Sequence, residues 1–317
     1  MQVTRMTIER ARATVLQKPW GIVDLHPWSS ESHASLPSGE IWFERAPGVH
    51  STPALLLKLL FTSQPLSIQV HPDDTYARAI GLDRGKTEAW YVLSAAEHAQ
   101  VALGLTSSLS LEDLVAAIDD GSIVEHVAWR DVVPDEVVLV PAGTIHSIGS
   151  GLVIAEIQQR SNATFRLFDF GRKRELQIKD GIAVADRGPI DGQPSSIRLS
   201  THRRILAANV FFVLERLDLP AESDWYIESL RETWLFVIRG SACVDSLEIT
   251  QGEALFAQDE SINVQAGKDG LTCLAAYPGS TGFVPHFLHR EPRRGFHAKR
   301  AAASSLAAGA KGYVRSL

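Results

Sequence analysis

From about residue 58 to residue 172 the chain alternates short apolar runs with polar breaks. LLLKLL, LSIQV, AWYVL, QVALGL, EVVLV, LVIAEIQ and TFRLFDF follow one another, divided by Gly, Pro, Asp and Ser. Runs of this length between turn formers predict the strands of a sandwich or barrel. One stretch keeps a different period: Leu111, Leu114, Val115 and Ile118 recur at helical spacing. Ser110 with Asp113 can form a capping box there and Gly121 can end the helix, so a short helical insertion near 110–121 is expected within a β-domain.

Residues 173 to 200 break the pattern again. A turn of helix fits near Lys179 to Ala185, and Arg187, Gly188, Pro189, Gly192 and Pro194 then mark a connection. Short strands resume from Ile205 to Tyr277, among them WLFVIRGSACV, EALFAQ and LTCLAAY. WYVL followed by DEVVLVPAGTIHSI runs parallel to WLFVIRGSACV followed by GEALFAQDESINV, so the same barrel is expected twice. The fold class is mainly all-β, with a metal-binding barrel over 1–200 and a second, degenerate barrel over 201–290. The tail over 291–317 carries six Lys and Arg beside an Ala and Ser run, and is read as a basic, solvated terminus.

Candidate chemistry lies where polar residues interrupt the apolar runs. In LSIQVHP, Gln69 and His71 occupy alternate positions and share one strand face, while Ile68 and Val70 take the other. Glu88 in GKTEAWY and His146 in PAGTIHSIG interrupt two further runs. Buried polar groups need partners, and one cation would satisfy all four. Two His, a carboxylate and an amide oxygen suit Zn²⁺ or another divalent first-row ion. The second copy reads AQDESINV against PAGTIHSI, with neither His nor carboxylate at the equivalent place, so it is expected to be structural.

Composition narrows the partners. The 317 residues allow one large or two ordinary domains. A net charge of -6 and a pI near 6.0 argue against nucleic acid or an anionic membrane surface. An anionic substrate therefore requires a local cluster of Lys and Arg. Cys243 and Cys273 lack CxxC spacing and are expected to be buried free thiols. No run of 18 apolar residues and no signal-peptide core are present, so a cytoplasmic protein is expected. Trp20, Trp90, Trp225 and Trp234 read as core aromatics, and Asp73 with Asp74 after Pro72 as a turn.

With LSIQVHPDD, GKTEAWYVL, VPAGTIHSIG and EIQQRSNATFRLFDFGR in this order, the chain resembles the class I phosphomannose isomerases, the cupin-type mannose-6-phosphate isomerases. The resemblance starts at KPWG, residues 18 to 21, and is densest between Leu57 and Arg172. It implies two cupin-type β-barrels (jelly rolls) and an enzyme that interconverts mannose 6-phosphate and fructose 6-phosphate. It further implies zinc on Gln69, His71, Glu88 and His146, a catalytic Arg166, and a substrate pocket lined by Lys58, Ser67, Lys86 and Glu156. HPDD departs from the Lys that many members carry after HPD.

Such a reaction moves a proton between C1 and C2 through an enediolate, whose charge must be stabilised as it forms. Two residues compete for the base, with a His or a metal-bound water as a third choice. Glu156 shares a face with Leu152 and Ile154, where burial would raise its pKa; Lys86 lies two residues from Glu88, where a metal would lower its own. Arg166 shares a face with Thr164 and Phe168 and suits phosphate or enediolate oxygens, with Lys58 as a point charge. Structural roles compete here too: Arg166 could pair with Glu156 across strands, and Lys58 could snorkel from LLLKLL. Two other functions stay open, a cupin enzyme on another sugar or sugar phosphate and a non-catalytic, metal-dependent sugar-binding cupin.

Overall fold

The computed structural model describes residues 7–29, 36–46, 52–229, 231–258, 260–280 and 287–290. The expected basic tail over 291–317 lies outside the described residues. Strands dominate, arranged in three sheets in which every named pairing is antiparallel. A six-stranded sheet runs in the order Arg12–Ile22, Ser38–Glu44, Leu55–Thr62, Leu152–Gln159, Glu88–Ala95, Val137–Val140. A five-stranded sheet runs Phe165–Phe168, Ile68–Val70, His146–Ile148, Gln100–Leu105, Val127–Asp131. Leu60, Trp90, Val92 and Ile154 of the first pack with Val101, Leu103 and Ile148 of the second, closing the first barrel.

All eight residues of Leu55–Thr62 are buried, which explains why LLLKLL is a continuous apolar run and not an alternating one. Leu55, Leu57, Leu59 and Phe61 face away from the first barrel and pack with Phe212, Leu214, Trp234, Phe236 and Phe256 of a ten-stranded sheet. The intervening Lys58 and Leu60 line the interior of the first barrel. The ten-stranded sheet contributes a second core of its own, filled by Leu217, Leu235, Val237, Ile262, Cys273 and neighbours. Its edge strand, Thr7–Arg10, comes from the opposite end of the chain and pairs with Ala254–Gln258.

The helical insertion is Leu111–Asp120; Asp113 N–H donates to Ser110 Oγ at 3.0 Å and Gly121 takes φ 82° after the last turn. A second expected turn of helix is Ile178–Val184. Four features differ from the sequence expectations. Asp73 and Asp74 do not form a simple turn: Asp73 caps a helix, Asp74–Ala79, by accepting from Tyr76 N–H at 2.7 Å. Three strands, Thr7–Arg10, Arg12–Ile22 and Ser38–Glu44, precede the segment where the pattern predicts them; the longest, Arg12–Ile22, is mostly half-exposed or exposed and carries Lys18 and Pro19. Cys273 is buried, but Cys243 is only half-buried.

The fourth difference concerns the repeat. Trp90 packs inside the first barrel, whereas Trp234 packs between the sheets, and its neighbours Leu235 and Val237 point inside the second barrel. Aligning the two tryptophans therefore misplaces the copies by one residue, which on a strand exchanges every inward and outward side chain.

Candidate metal centre and pocket

Strand register assembles the site. On the five-stranded sheet His146 pairs with Gln69, and Gln69 with Arg166, so three neighbouring strands set these side chains abreast. On the six-stranded sheet Lys58 pairs with Glu156, and Glu88 with Gln158. The two rows face one another across a cavity of about 330 Å³.

At its floor, ligand atoms of His71, Glu88 and His146 all lie within 4.8 Å of one another, and all three residues are buried. His71 Nε2 stands 3.3 Å from Glu88 Oε2, and His146 Nε2 3.6 Å from Glu88 Oε1. Ligands of a tetrahedral ion held at about 2.1 Å stand roughly 3.4 Å apart, so these spacings fit a metal. Both imidazoles are pre-set as ligands. His71 Nδ1–H donates to the Ala163 carbonyl at 2.8 Å and His146 Nδ1–H to the Thr144 carbonyl at 2.9 Å, leaving both Nε2 lone pairs toward the centre. Burial, reinforced by the charge on Lys86, pushes His71 down to about 3 and lowers His146 too, so both rings are neutral at pH 7.

Gln69 completes the set with a condition. Its Nε2 lies 3.3 Å from His146 Nε2 while its Oε1 accepts from Ser67 Oγ at 2.9 Å. An oxygen ligand needs the opposite amide orientation, a half-turn that Ser67 tolerates because a hydroxyl also accepts. Glu88 Oε2 is buried without a hydrogen bond of good geometry, although the Lys86 ammonium stands 2.6 Å away. That buried oxygen, two inward imidazole lone pairs and an adjacent amide fit a divalent first-row cation.

Above the floor lie the other sequence candidates. Lys58 is buried and does not snorkel: its Nζ donates to Gln158 Oε1 at 2.7 Å, stands 3.4 Å from Glu156 Oε1 and lies 4.7 Å over the Trp42 ring. Lys86 Nζ lies 3.1 Å from His71 Nε2 and 3.7 Å from Glu156 Oε1. The two lysines shift oppositely. Burial lowers Lys58 more than Glu156 raises it; burial also pulls on Lys86, but Glu156 and Glu88 together hold it above the ordinary lysine value while no cation sits beside it. For Glu88 burial is overcome by Lys86 and His71, and the carboxyl sits well below its usual range.

Arg166 lines the cavity with Thr164, but Phe168 does not share that face: the register shifts after Arg166 and Phe168 packs in the core beneath. The guanidinium is not paired with Glu156. Its NH1 donates to the Glu175 carbonyl at 3.3 Å, and its buried Nε has no hydrogen-bond partner. Arg174, which the sequence reading passed over, joins it at the rim. Asp169 fixes Arg174, accepting from its Nε at 2.7 Å, and also holds Arg172. Lys18, Glu40, Trp42 and Asn162 were missed as well. Lys18 pairs with Glu40 at 3.3 Å, and Trp42 Nε1 donates to Glu40 at 2.7 Å. Only the KPWG segment signalled any of these, because Glu40 and Trp42 lie on Ser38–Glu44, ahead of the run of apolar segments, and isolated charges elsewhere carry no period. In all, five cationic side chains face three carboxylates in the cavity, a local excess of positive charge within a chain of net charge -6.

No protein-family model matches the chain. Among curated proteins, it is 37% identical over 170 residues to mannose-6-phosphate isomerase of Streptococcus mutans, covering 50% of this chain and 53% of that protein. It is 38% identical over 139 residues to mannose-6-phosphate isomerase ManA of Bacillus subtilis, covering 42% and 44% respectively. The chain spans about half the length of the curated relatives it matches. The solved mannose 6-phosphate isomerase from Bacillus subtilis superposes with a TM-score of 0.75 at 23% identity, covering 86% of this chain and 100% of that chain. A mutant of phosphomannose isomerase from Salmonella typhimurium gives 0.66 at 15% identity, covering 86% and 99%. The resemblance read from the motifs is borne out, and the fold is the cupin-type β-fold of these structures. Among the described residues no helix is long and apolar enough to cross a membrane.

Proposed function

We propose that the chain is a metal-dependent aldose–ketose isomerase that interconverts mannose 6-phosphate and fructose 6-phosphate, with Zn²⁺ or another divalent first-row ion on Gln69, His71, Glu88 and His146. The observation that carries this reading is a cavity lined by Gln69 and Glu88, on which buried His71 and His146 converge, beside a buried carboxylate and an excess of cationic side chains. The curated relatives that match half the chain bear the name of this activity. When bound, the cation supplies positive charge beside the sugar oxygens that become electron-rich during proton transfer.

The chain's own residues divide the remaining work. Glu156 is the proton carrier between C1 and C2. Its Oε1 is buried and lacks a hydrogen-bond partner, so an acceptor lone pair faces the cavity; Lys86, the rival base, is engaged as a donor toward Glu88 and His71. Lys58 and Lys86, 3.4 and 3.7 Å from Glu156 Oε1, orient that carboxylate. Glu156 also gives Lys86 a second partner, so Glu88 can serve a cation without stranding the ammonium. At the rim, the unpartnered Arg166 Nε and the Asp169-anchored Arg174 suit a phosphate dianion, which planar guanidiniums grip with paired hydrogen bonds. Ser67 holds the Gln69 amide.

The decisive assay incubates the metal-loaded protein with fructose 6-phosphate in heavy water, following deuterium at C2 alongside direct analysis of the aldose formed. Mannose 6-phosphate should appear, and unphosphorylated fructose should react at least about a hundredfold more slowly if two arginines hold the phosphate. Binding without product would reduce the chain to a sugar-phosphate receptor, and equal rates on the free sugar would remove the phosphate site.

A further inference from the structure

A Glu-x-Trp pair occurs three times, at Glu40 and Trp42, Glu88 and Trp90, and Glu232 and Trp234, and the last two face opposite ways. In the first barrel Trp90 Nε1 donates to Glu88 Oε1 at 2.9 Å, and Glu88 points to the metal centre. In the second, Trp234 Nε1 donates to Glu232 Oε1 at 3.0 Å, and the pair points out of its own barrel toward the first. The Glu232 carboxylate is buried at 8% exposure and accepts two backbone donors from the other barrel: Ala54 N–H at 2.5 Å and Leu55 N–H at 2.9 Å.

Those two amides open the strand that carries Lys58. The Ala54 carbonyl accepts from Arg160 N–H at 2.9 Å and from Arg84 at 3.1 Å, and the Leu55 carbonyl accepts from Arg160 Nε at 3.2 Å. Arg160 ends the run that bears Glu156 and Gln158, while Arg84 begins the segment leading to Lys86 and Glu88. Ala54–Leu55 is thus a node from which three site-bearing segments leave, and its N–H groups are held by the second barrel. A buried carboxylate that accepts two N–H groups gives stronger bonds than a neutral acceptor, and its loss leaves both donors stranded.

We infer that Glu232 is a positioning residue: through Ala54 and Leu55 the second barrel sets the register of Leu55–Thr62 and so the place of Lys58 against Glu156 and Gln158. This rests on the proposed isomerase only for its kinetic consequence. The second barrel therefore takes part in shaping the pocket, although among the described residues none of its side chains lines it.

The test compares the full-length, metal-loaded protein with Glu232→Gln and Trp234→Phe. Glutamine keeps the volume but sets an NH₂ group against one of the two backbone donors; phenylalanine removes the indole bond and leaves the clamp. In Glu232→Gln, amide exchange over residues 54–60 should rise about tenfold while peptides of Leu235–Val244 stay protected, because only the node is released. KM for mannose 6-phosphate should rise about tenfold, with kcat within about twofold and bound metal unchanged. Trp234→Phe should leave exchange over 54–60 near that of the parent. Unchanged exchange over 54–60 in Glu232→Gln would overturn the inference, and so would an equal rise in both barrels, which marks a merely structural acid. If the parent protein does not turn over the sugar phosphate, the functional reading fails alone, since exchange still decides the clamp.

Discussion

Asp169 carries two arginines on one buried carboxylate, and only one of them lines the cavity. Burial by itself would raise its pKa, but Arg174 and Arg172 outweigh it and hold the carboxyl below the ordinary aspartate value. A group depressed in the folded state stabilises the protein above its unfolded pKa, near 4, and loses that contribution as pH falls through the lower folded value. Asp169→Asn should therefore melt below the parent at pH 7, and the gap between the two should close as the pH is taken below about 3, as read by calorimetry. The same variant should raise KM for the phosphorylated sugar, since Arg174 loses its anchor. Glu156 is tested separately: Glu156→Gln should lower kcat by at least about a hundredfold while bound metal, measured by elemental analysis, stays at the parent level.

The insertion Leu111–Asp120 shows what a short element owes to its ends. Gly121 sits at φ 82°, and a Cβ placed there would come within 3.1 Å of the Phe168 ring. Gly121→Ala should cost about 1 kcal/mol or more in urea unfolding with kcat untouched, because both the left-handed backbone and the contact oppose a side chain. This helix was legible because its caps and its 3.6-residue period agree. So were the strands bearing Gln69, Glu88 and Glu156, whose polar residues interrupt apolar runs. Arg174 and Asn162 were not legible: they sit in connections, and only the strand order brings them to the rim. The repeat was half legible. Its strand pattern is real, but a pattern of period two reads the same when moved by two residues and inverts when moved by one, so Trp234 was set against Trp90 on the wrong face. The helix Asp74–Ala79, six residues long, is too short for periodicity to reveal.

At the scale of the whole molecule, the proposed metal site ties ion binding to the fold. The proposed ligands come from Ile68–Val70 and the residue after it, Glu88–Ala95 and His146–Ile148, strands of two different sheets. An ion that bridges the sheets binds the folded state alone and stabilises it by mass action, about 4 kcal/mol at a thousandfold excess over its dissociation constant. Treatment with a chelator should lower the melting temperature, zinc should restore it, and His146→Ala should remove the difference between the two conditions. Unfolding followed by far-ultraviolet dichroism and by tryptophan fluorescence should coincide, since one cluster of side chains joins the barrels.

That shared cluster has a consequence for how the chain tolerates change. Leu55, Leu57, Leu59 and Phe61 would lie bare if the C-terminal half were cut away, and Phe212, Trp234 and Phe256 would lie bare on the other piece. Greasy flanks of that extent make fragments clump, so severing the gene midway should give two insoluble products and no working half. Inheritance is constrained in the same way: under the proposed function, drift in the half that lines no part of the described cavity is policed by the chemistry of the half that does.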